Sequence, residues 1–386
     1  MHVFAVIAGL AFLIAVLLDA FESIVLPRRV QRHFRISAWF YRYTWVPWRR
    51  VISHIHSASR RENFLGYFGP LSLLLLLMLW AVGLIFGFAL LQYGTGEHVQ
   101  LSNEPINFGR LVYHSGETFF TLGYGDIVPV SPLSRALAVI EAGMGFGFLG
   151  TVIGYLPTIY SSFSRREVQI SILDGHAGSP PTATELLIRL GNPSKQKLLD
   201  QVLHEWERSA GDVLESHISY PPLVFFRSQH VNQSWIGALT AILDATSLVI
   251  AGVDGLSAEQ AKLTFAMARH TVVDLAQVVR AQYDAGTPDR LDSAELSRVR
   301  EALSAVGILL HSGPEFEEKL DTLRALYEPY AQAIARNLLI TLPPWIHQDH
   351  HRDNWQAGPW DLLIQSRGLR QTRRATSPSQ VPDEHF

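Results

Sequence analysis

Thr118-Phe119-Phe120-Thr121-Leu122-Gly123-Tyr124-Gly125-Asp126 lies between two apolar runs, each long enough to cross a bilayer. Two glycines flanking a tyrosine make a poor core strand and a worse helix, because glycine costs backbone entropy in either. They suit a backbone whose successive carbonyls all point the same way. That requires φ > 0 at alternate residues, which glycine adopts freely and most side chains do not. The plainer reading, a glycine-rich turn before a helix, leaves the two flanking apolar runs unexplained.

Four such strands around an axis present stacked rings of carbonyl oxygens, with the Thr121 hydroxyl as the lowest ring. Such a cage replaces the water shell of a potassium ion. In this the stretch resembles the selectivity filter of the tetrameric potassium channels. The resemblance, to their two-span, one-pore type, covers roughly Phe68 to Arg166. It implies that Thr121, Leu122, Gly123 and Tyr124 donate carbonyls, that Gly125 completes the outer mouth and that Asp126 lies just behind it. Glu117 stands nine residues before Asp126. Some family members pair a glutamate there with this aspartate, and two carboxyls so placed are expected to share a proton. A short pore helix, Phe108 to Thr121, is expected to aim its negative C-terminal end at the pore centre.

Phe120 departs from the small or hydroxylated residue usual in the family, and Leu122 replaces the commoner valine. Both bear on packing behind the filter. The third span carries Gly143, Gly145, Gly147, Gly150 and Gly154. Gly145 falls where the family often has its gating hinge, although small residues at this density also let helices pack closely in lipid. Pro157 removes a backbone donor and is expected to kink the helix where inner helices converge into a gate. Phe146, Gly150 and Ile153 are cavity-lining positions by helical spacing. By the same family resemblance, one filter per chain implies a homotetramer. Potassium is then the permeant ion, and no cofactor is expected.

Outward from the filter, residues 1–26 read as an uncleaved N-terminal transmembrane helix, apolar from Val3 to Leu18, with its N-terminus outside. Residues 27–67 form a basic, aromatic segment in which Arg28, Arg29, Arg32, Arg35, Arg42, Arg49, Arg50, Arg60 and Arg61 alternate with Trp39, Trp45 and Trp48. Nucleic acid would also attract such a segment. Its place between two spans favours membrane lipid, as a cytoplasmic interfacial loop. Phe68 to Leu91 carries no charge, and the third span, about Pro132 to Tyr160, ends at Arg165-Arg166. Arginines at both inner ends put the filter loop outside and the C-terminus in the cytoplasm, as in a multi-pass protein of the cell's inner membrane.

A length of 386 residues points to more than one domain. The net charge of −3 conceals an asymmetry, since apolar residues crowd before Arg165 and acids after it. With no cysteine, disulfides and thiolate metal sites are excluded. The expected divisions are a pore domain at 68–166, a helical cytoplasmic domain at 167–365 and a disordered tail at 366–386. The fold class is an all-α membrane protein. Thr182, Asn192, Ser257, Asp292 and Ser312 read as helix N-caps. Ile236 to Val253 is apolar enough for a fourth span, but Asp244 sits mid-run without a basic flank, so a buried helix is expected.

Charged groups within spans attract functional readings. Asp19 and Glu22 are expected to be neutralised by Arg28 or Arg29. Glu141 is expected to face the pore helix, with Arg110 or His114 as candidate partners. His347, Asp349, His350, His351 and Asp353 resemble a metal cluster but read as a solvated polar run. His217, Arg227, His230 and Trp235 surround Tyr220-Pro221-Pro222 and form a candidate small-molecule pocket of the cytoplasmic domain. No nucleophile-and-base spacing and no glycine-rich nucleotide fingerprint occurs, which leaves an enzyme reading without support. Two alternatives stand beside a selective channel: a poorly selective cation channel, suggested by Phe120, and a non-conducting membrane sensor or scaffold with a channel-like core.

Overall fold

The computed structural model describes residues 2–26, 35–96, 99–101, 107–230, 232–284 and 286–347. In chain order the elements are α1 (His2–Ile24), α2 (Ile36–Ser53), α3 (Ala58–Thr95), β1 (Val99–Leu101), α4 (Phe108–Phe119), β2 (Ile127–Pro129) and α5 (Pro132–Ala177). Then come α6 (Ala183–Leu190), α7 (Gln196–Ser219), α8 (Trp235–Gly252), α9 (Glu259–Val278), α10 (Ser293–Ala305), α11 (Pro314–Ala325) and α12 (Glu328–Leu338), with short 3-10 turns at Pro193–Lys195 and Pro221–Phe225. Among the described residues the sole sheet is an antiparallel ribbon pairing Val99 with Pro129 and Leu101 with Ile127. The protein is all-α, and four of its helices are long and apolar enough to cross a membrane. The chain forms two compact units: Met1–Ser164 with Glu215–Arg227, and Arg165–Leu214 with Ser228–Phe386.

In the first unit α1 lies against α3, with Leu13 and Val16 packed among Leu76, Trp80, Leu84 and Phe88. Small residues permit the approach. A Cβ on Gly87 would lie 2.5 Å from Leu13 Cδ2, and one on Gly83 would lie 2.9 Å from Val16 Cγ2. The opposite face of α1 exposes Val3, Phe4, Ile7 and Leu10, as a lipid-facing helix does.

Asp19 is fully buried. Arg28 and Arg29 lie outside the described residues, and the carboxylate has other partners. It accepts from Trp80 Nε1 at 2.9 Å, from the Ser37 N–H at 2.9 Å and from Ser37 Oγ at 3.1 Å. Asp19 thus caps the N-terminus of α2 from another helix, where neutral donors and the positive end of the helix dipole satisfy it. Glu22 lies 3.9 Å from Arg35, and its expected partners Arg28 and Arg29 lie outside the described residues. On α2 itself, Trp39, Tyr43, Val46 and Val51 are exposed together with Arg42 and Arg50, while Ser37, Trp45 and Ile52 are buried. That is the two-faced pattern of an interfacial helix.

The second unit is built around α8, whose residues from Trp235 to Ala251 are all buried. A helix apolar on every side is either a membrane span or the centre of a larger body. Here α6, α9, α11 and α12 surround it, so burial within its own unit accounts for its apolarity. Asp244 receives Arg290 Nη2 at 2.7 Å and the Tyr327 hydroxyl at 2.5 Å. Glu328 joins Arg290 at 3.6 Å and Arg324 at 2.9 Å, and both guanidinium groups lie over the buried Trp345 ring. Each buried charge therefore has an opposite partner, without which burial would be costly.

Thr182, Asn192 and Asp292 cap as read, accepting from Glu185 N, Ser194 N and Glu295 N. Two caps fall one residue later. The cap of α9 is Ala258, with the Ser257 hydroxyl accepting from Glu259 N at 3.4 Å. The cap of α11 is Gly313, not Ser312, because Pro314 occupies the first helical position and its predecessor adopts φ 105°, where glycine is favoured.

Candidate functional site

Helix α4, the expected pore helix, is capped by Asn107, whose side chain accepts from the Arg110 N–H at 3.0 Å. It ends at Phe119, two residues short of the expected Thr121. The chain then tightens, with Phe120 N–H to Gly116 O at 3.0 Å, Thr121 N–H to Thr118 O at 3.1 Å and Leu122 N–H to Glu117 O at 2.8 Å. From here φ alternates in sign. Thr121 is at 55°, Gly123 at 62° and Gly125 at 78°, whereas Leu122 and Tyr124 keep negative values. Two of the three left-handed positions are glycine. The third is a β-branched residue, for which that conformation costs about 1–2 kcal/mol, so local strain is concentrated at the start of this stretch. Phe120, Leu122 and Tyr124 are 59%, 53% and 68% exposed.

Behind this stretch Glu117 is buried, with its Oε1 at 3.3 Å from His114 Nδ1. Asp126 is close enough to interact electrostatically with both Glu117 and Tyr113. Glu141, fully buried on α5, does face the pore helix, but neither Arg110 nor His114 is its partner. Ser115 Oγ hydrogen-bonds both Glu141 and the Ile85 carbonyl, the latter at 2.8 Å, and Gln92 Nε2 donates to Glu141 at 3.3 Å. Uncharged donors from α3 and α4 satisfy the carboxyl without a second buried charge. His114 has turned to Glu117 instead.

The close approach of α5 to the pore helix is made at Gly145. A Cβ there would lie 1.9 Å from the Phe119 carbonyl oxygen. Around Gly143, Gly147, Gly150 and Gly154 there is open space. Phe146 and Ile153, 74% and 64% exposed, share that open face with Gly150, and Pro157 is exposed on it as well. Tyr155 and Ile159, either side of Pro157, are buried.

His217, Tyr220 and Arg227 belong to the first unit, where Arg227 lies 3.4 Å from Glu62; His230 and Trp235 belong to the second. His347 is half-buried, while Asp349, His350, His351, Asp353 and the tail lie outside the described residues. Among the described residues no group of three metal-ligating side chains occurs. A groove of about 700 Å³ in the second unit includes Asp289, Arg290, Arg336 and His347, with Arg290 already engaged by Asp244 and Arg336 by Asp284. Sequence reasoning did not single out Gln92, Ser115 or Trp80. Their only advance signal is that Gln92 is polar at the end of an apolar run and Ser115 lies inside the pore helix.

The short helix α4, the glycine-bearing stretch after it and the flanking apolar helices are the arrangement expected of an ion-channel pore segment. Residues 74–161 match the model of a family described as Ion channel. Three curated relatives are similar to parts of the chain. An uncharacterized membrane protein of Bacillus subtilis, YdjJ, is 26% identical over 56% of this chain and 61% of its own. The calcium-gated potassium channel TvoK of Thermoplasma volcanium is 40% identical over 62 residues, 16% of this chain and 18% of its own. The inward rectifier potassium channel Kirbac3.1 of Paramagnetospirillum magnetotacticum is 26% identical over 36% of this chain and 44% of its own. The chain thus spans less than two thirds of each relative. No solved structure matches. This is a multi-pass membrane protein whose pore segment resembles the bacterial-type potassium channels.

Proposed function

We propose that the chain is one subunit of a homotetrameric, potassium-selective channel of the cell's inner membrane, with the filter mouth outside and the second unit in the cytoplasm. The observation that carries this is the alternation of φ from Thr121 to Gly125. Alternating left- and right-handed residues turn successive carbonyls to one side. Four copies on one axis then offer dehydrated K⁺ a ladder of oxygens at Thr121, Leu122, Gly123 and Tyr124, with Gly125 at the mouth. The C-terminal end of α4 supplies partial negative charge to the cavity below. Glu117 and Asp126 brace the filter from behind. The exposed filter side chains are covered by neighbouring copies, and the open face of α5, with Phe146, Gly150 and Ile153, lines the cavity.

Transport is passive. Bending of the inner helix falls at or below Gly145, with Pro157 marking the inner gate. Two of the relatives are described as potassium channels, which favours potassium over other cations. Purified protein in liposomes is expected to pass K⁺ far faster than Na⁺. Equal flux of the two ions refutes the selectivity, and no flux of either refutes the pore.

A further inference from the structure

The 3-10 turn Pro221–Phe225 lies within the first unit, although the chain on either side, up to Leu214 and from Ser228, belongs to the second. The turn is internally tied, with Leu223 N–H to Tyr220 O at 2.9 Å and Phe226 N–H to Leu223 O at 3.1 Å. Its Phe225 ring enters a socket of three aromatic residues. The ring stacks on Tyr41 at 5.3 Å and 11°, sits 5.1 Å from Trp45 and meets Phe68 at 5.1 Å and 68°. Tyr41 and Trp45 come from the interfacial helix α2, and Phe68 from α3. The neighbouring residue must be glycine for the turn to seat, since a Cβ on Gly69 would lie 2.8 Å from the Phe226 ring and 3.1 Å from the Phe225 carbonyl.

The other side of the turn rests on the inner helix. Buried Leu223 and Phe226 pack with Leu73 of α3 and with Tyr155 and Ile159 of α5, the two buried residues either side of Pro157. Phe226 also meets Phe163 at 5.7 Å and Tyr160 at 6.0 Å, and Tyr220 meets Tyr155 at 5.7 Å. One short segment therefore touches the interfacial helix, the outer helix and the inner helix where the latter carries its proline. If α5 bends at Pro157, Ile159 to Phe163 move relative to Leu73 and Phe68. A close-packed aromatic cluster does not stretch; it holds or it separates.

We propose that Tyr220–Phe226 is a gating latch: it holds the cytoplasmic half of the inner helix against α3 while Phe225 occupies its socket, and gating requires it to leave. The second unit, continuous with both ends of the latch, is the part of the chain through which a stimulus would act on it. The proposal rests on the channel reading above.

The chain has no cysteine, so Tyr41→Cys with Phe225→Cys introduces one thiol pair into the full-length protein. Single channels of this variant, reconstituted in lipid bilayers, are recorded before and after a short bifunctional methanethiosulfonate cross-linker. The expected result, relative to the same variant before cross-linking, is at least a tenfold fall in the rate of opening and closing transitions, reversed by reductant, with the K⁺/Na⁺ ratio unchanged and with no response of either single-cysteine variant to the cross-linker. Transitions at an unaltered rate after verified cross-linking overturn the latch. Phe225→Ala supplies a second reading: open probability shifts at least fivefold, and Phe225→Trp shifts it less. An open probability equal to that of the unmodified protein in both variants also overturns it. Absence of current from the unmodified protein, by contrast, defeats the channel reading and not the latch alone.

Discussion

Gly145→Ala is the substitution whose outcome the geometry constrains most tightly. The added methyl carbon would stand 1.9 Å from the Phe119 carbonyl oxygen, 2.8 Å from its carbonyl carbon and 3.1 Å from its Cα. Ordinary contacts between heavy atoms lie near 3.5–4.0 Å, so the two backbones must separate by roughly 1.6–2.1 Å. Neither partner is a side chain that can rotate aside. Overpacking a core costs about 1–3 kcal/mol where side chains absorb it, and here the main chain of α4 must move. Thr121 follows Phe119 by two residues, so the displacement is delivered to the proposed filter. Gly66→Ala is the control, because a Cβ at 66 meets nothing within 4 Å and alanine is favoured over glycine in a helix by about 1 kcal/mol. Thermal unfolding in detergent and the K⁺/Na⁺ flux ratio in liposomes read both effects. Gly145→Ala is expected to lower the melting temperature and the ratio together, with Gly66→Ala at or above the unmodified protein in each. If Gly145→Ala matches Gly66→Ala in both assays, the reasoning from this contact is wrong.

Asp244→Ala leaves Arg290 buried without its closest carboxylate, and breaking a buried pair in this way costs about 3–5 kcal/mol; denaturant unfolding of the full-length protein that shows under 1 kcal/mol, by the same reasoning, counts against the network. Asp19→Ala strands three donors, two from Ser37 and one from Trp80, each at a cost of about 1–3 kcal/mol if left unpaired. Asp19→Asn keeps one acceptor oxygen, so thermal stability is expected to rank unmodified, then Asn, then Ala, and any other order refutes the capping role. Glu117→Ala removes the buried acid that touches His114 and faces Asp126; filter inactivation or ion retention is expected to change, and an unaltered current removes the carboxyl pair from the account.

Much of the pore segment is legible residue by residue because its rules are local. A glycine at 123 and at 125 permits positive φ whatever surrounds it, and the structure has both in that region. Thr121, the third residue in the alternation, carries no such advance mark, because a threonine enters the left-handed region only when the surrounding structure holds it there. The caps at Thr182, Asn192 and Asp292 are likewise local, each bonding an amide two or three residues on. Ser312 fails as a cap through the same short-range logic applied to the wrong residue, since Pro314 fixes the start.

The sequence by itself marked the candidate membrane spans, the glycine-bearing stretch between two of them and why its glycines are glycines. Those properties depend on a residue's own dihedral freedom, on neighbours within one helical turn and on the hydrocarbon thickness a helix must match. Only the tertiary structure decided that Asp19 answers to Ser37 and Trp80, 18 and 61 residues away, that Glu141 takes Ser115 and Gln92, and that Gly145 lies against the end of the pore helix. It alone carried Phe225 from the far side of α7 into a socket beside α2 and α3. A partner at that separation is chosen by how helices cross, and the crossing is fixed by the fit of entire faces rather than by the identity of either residue.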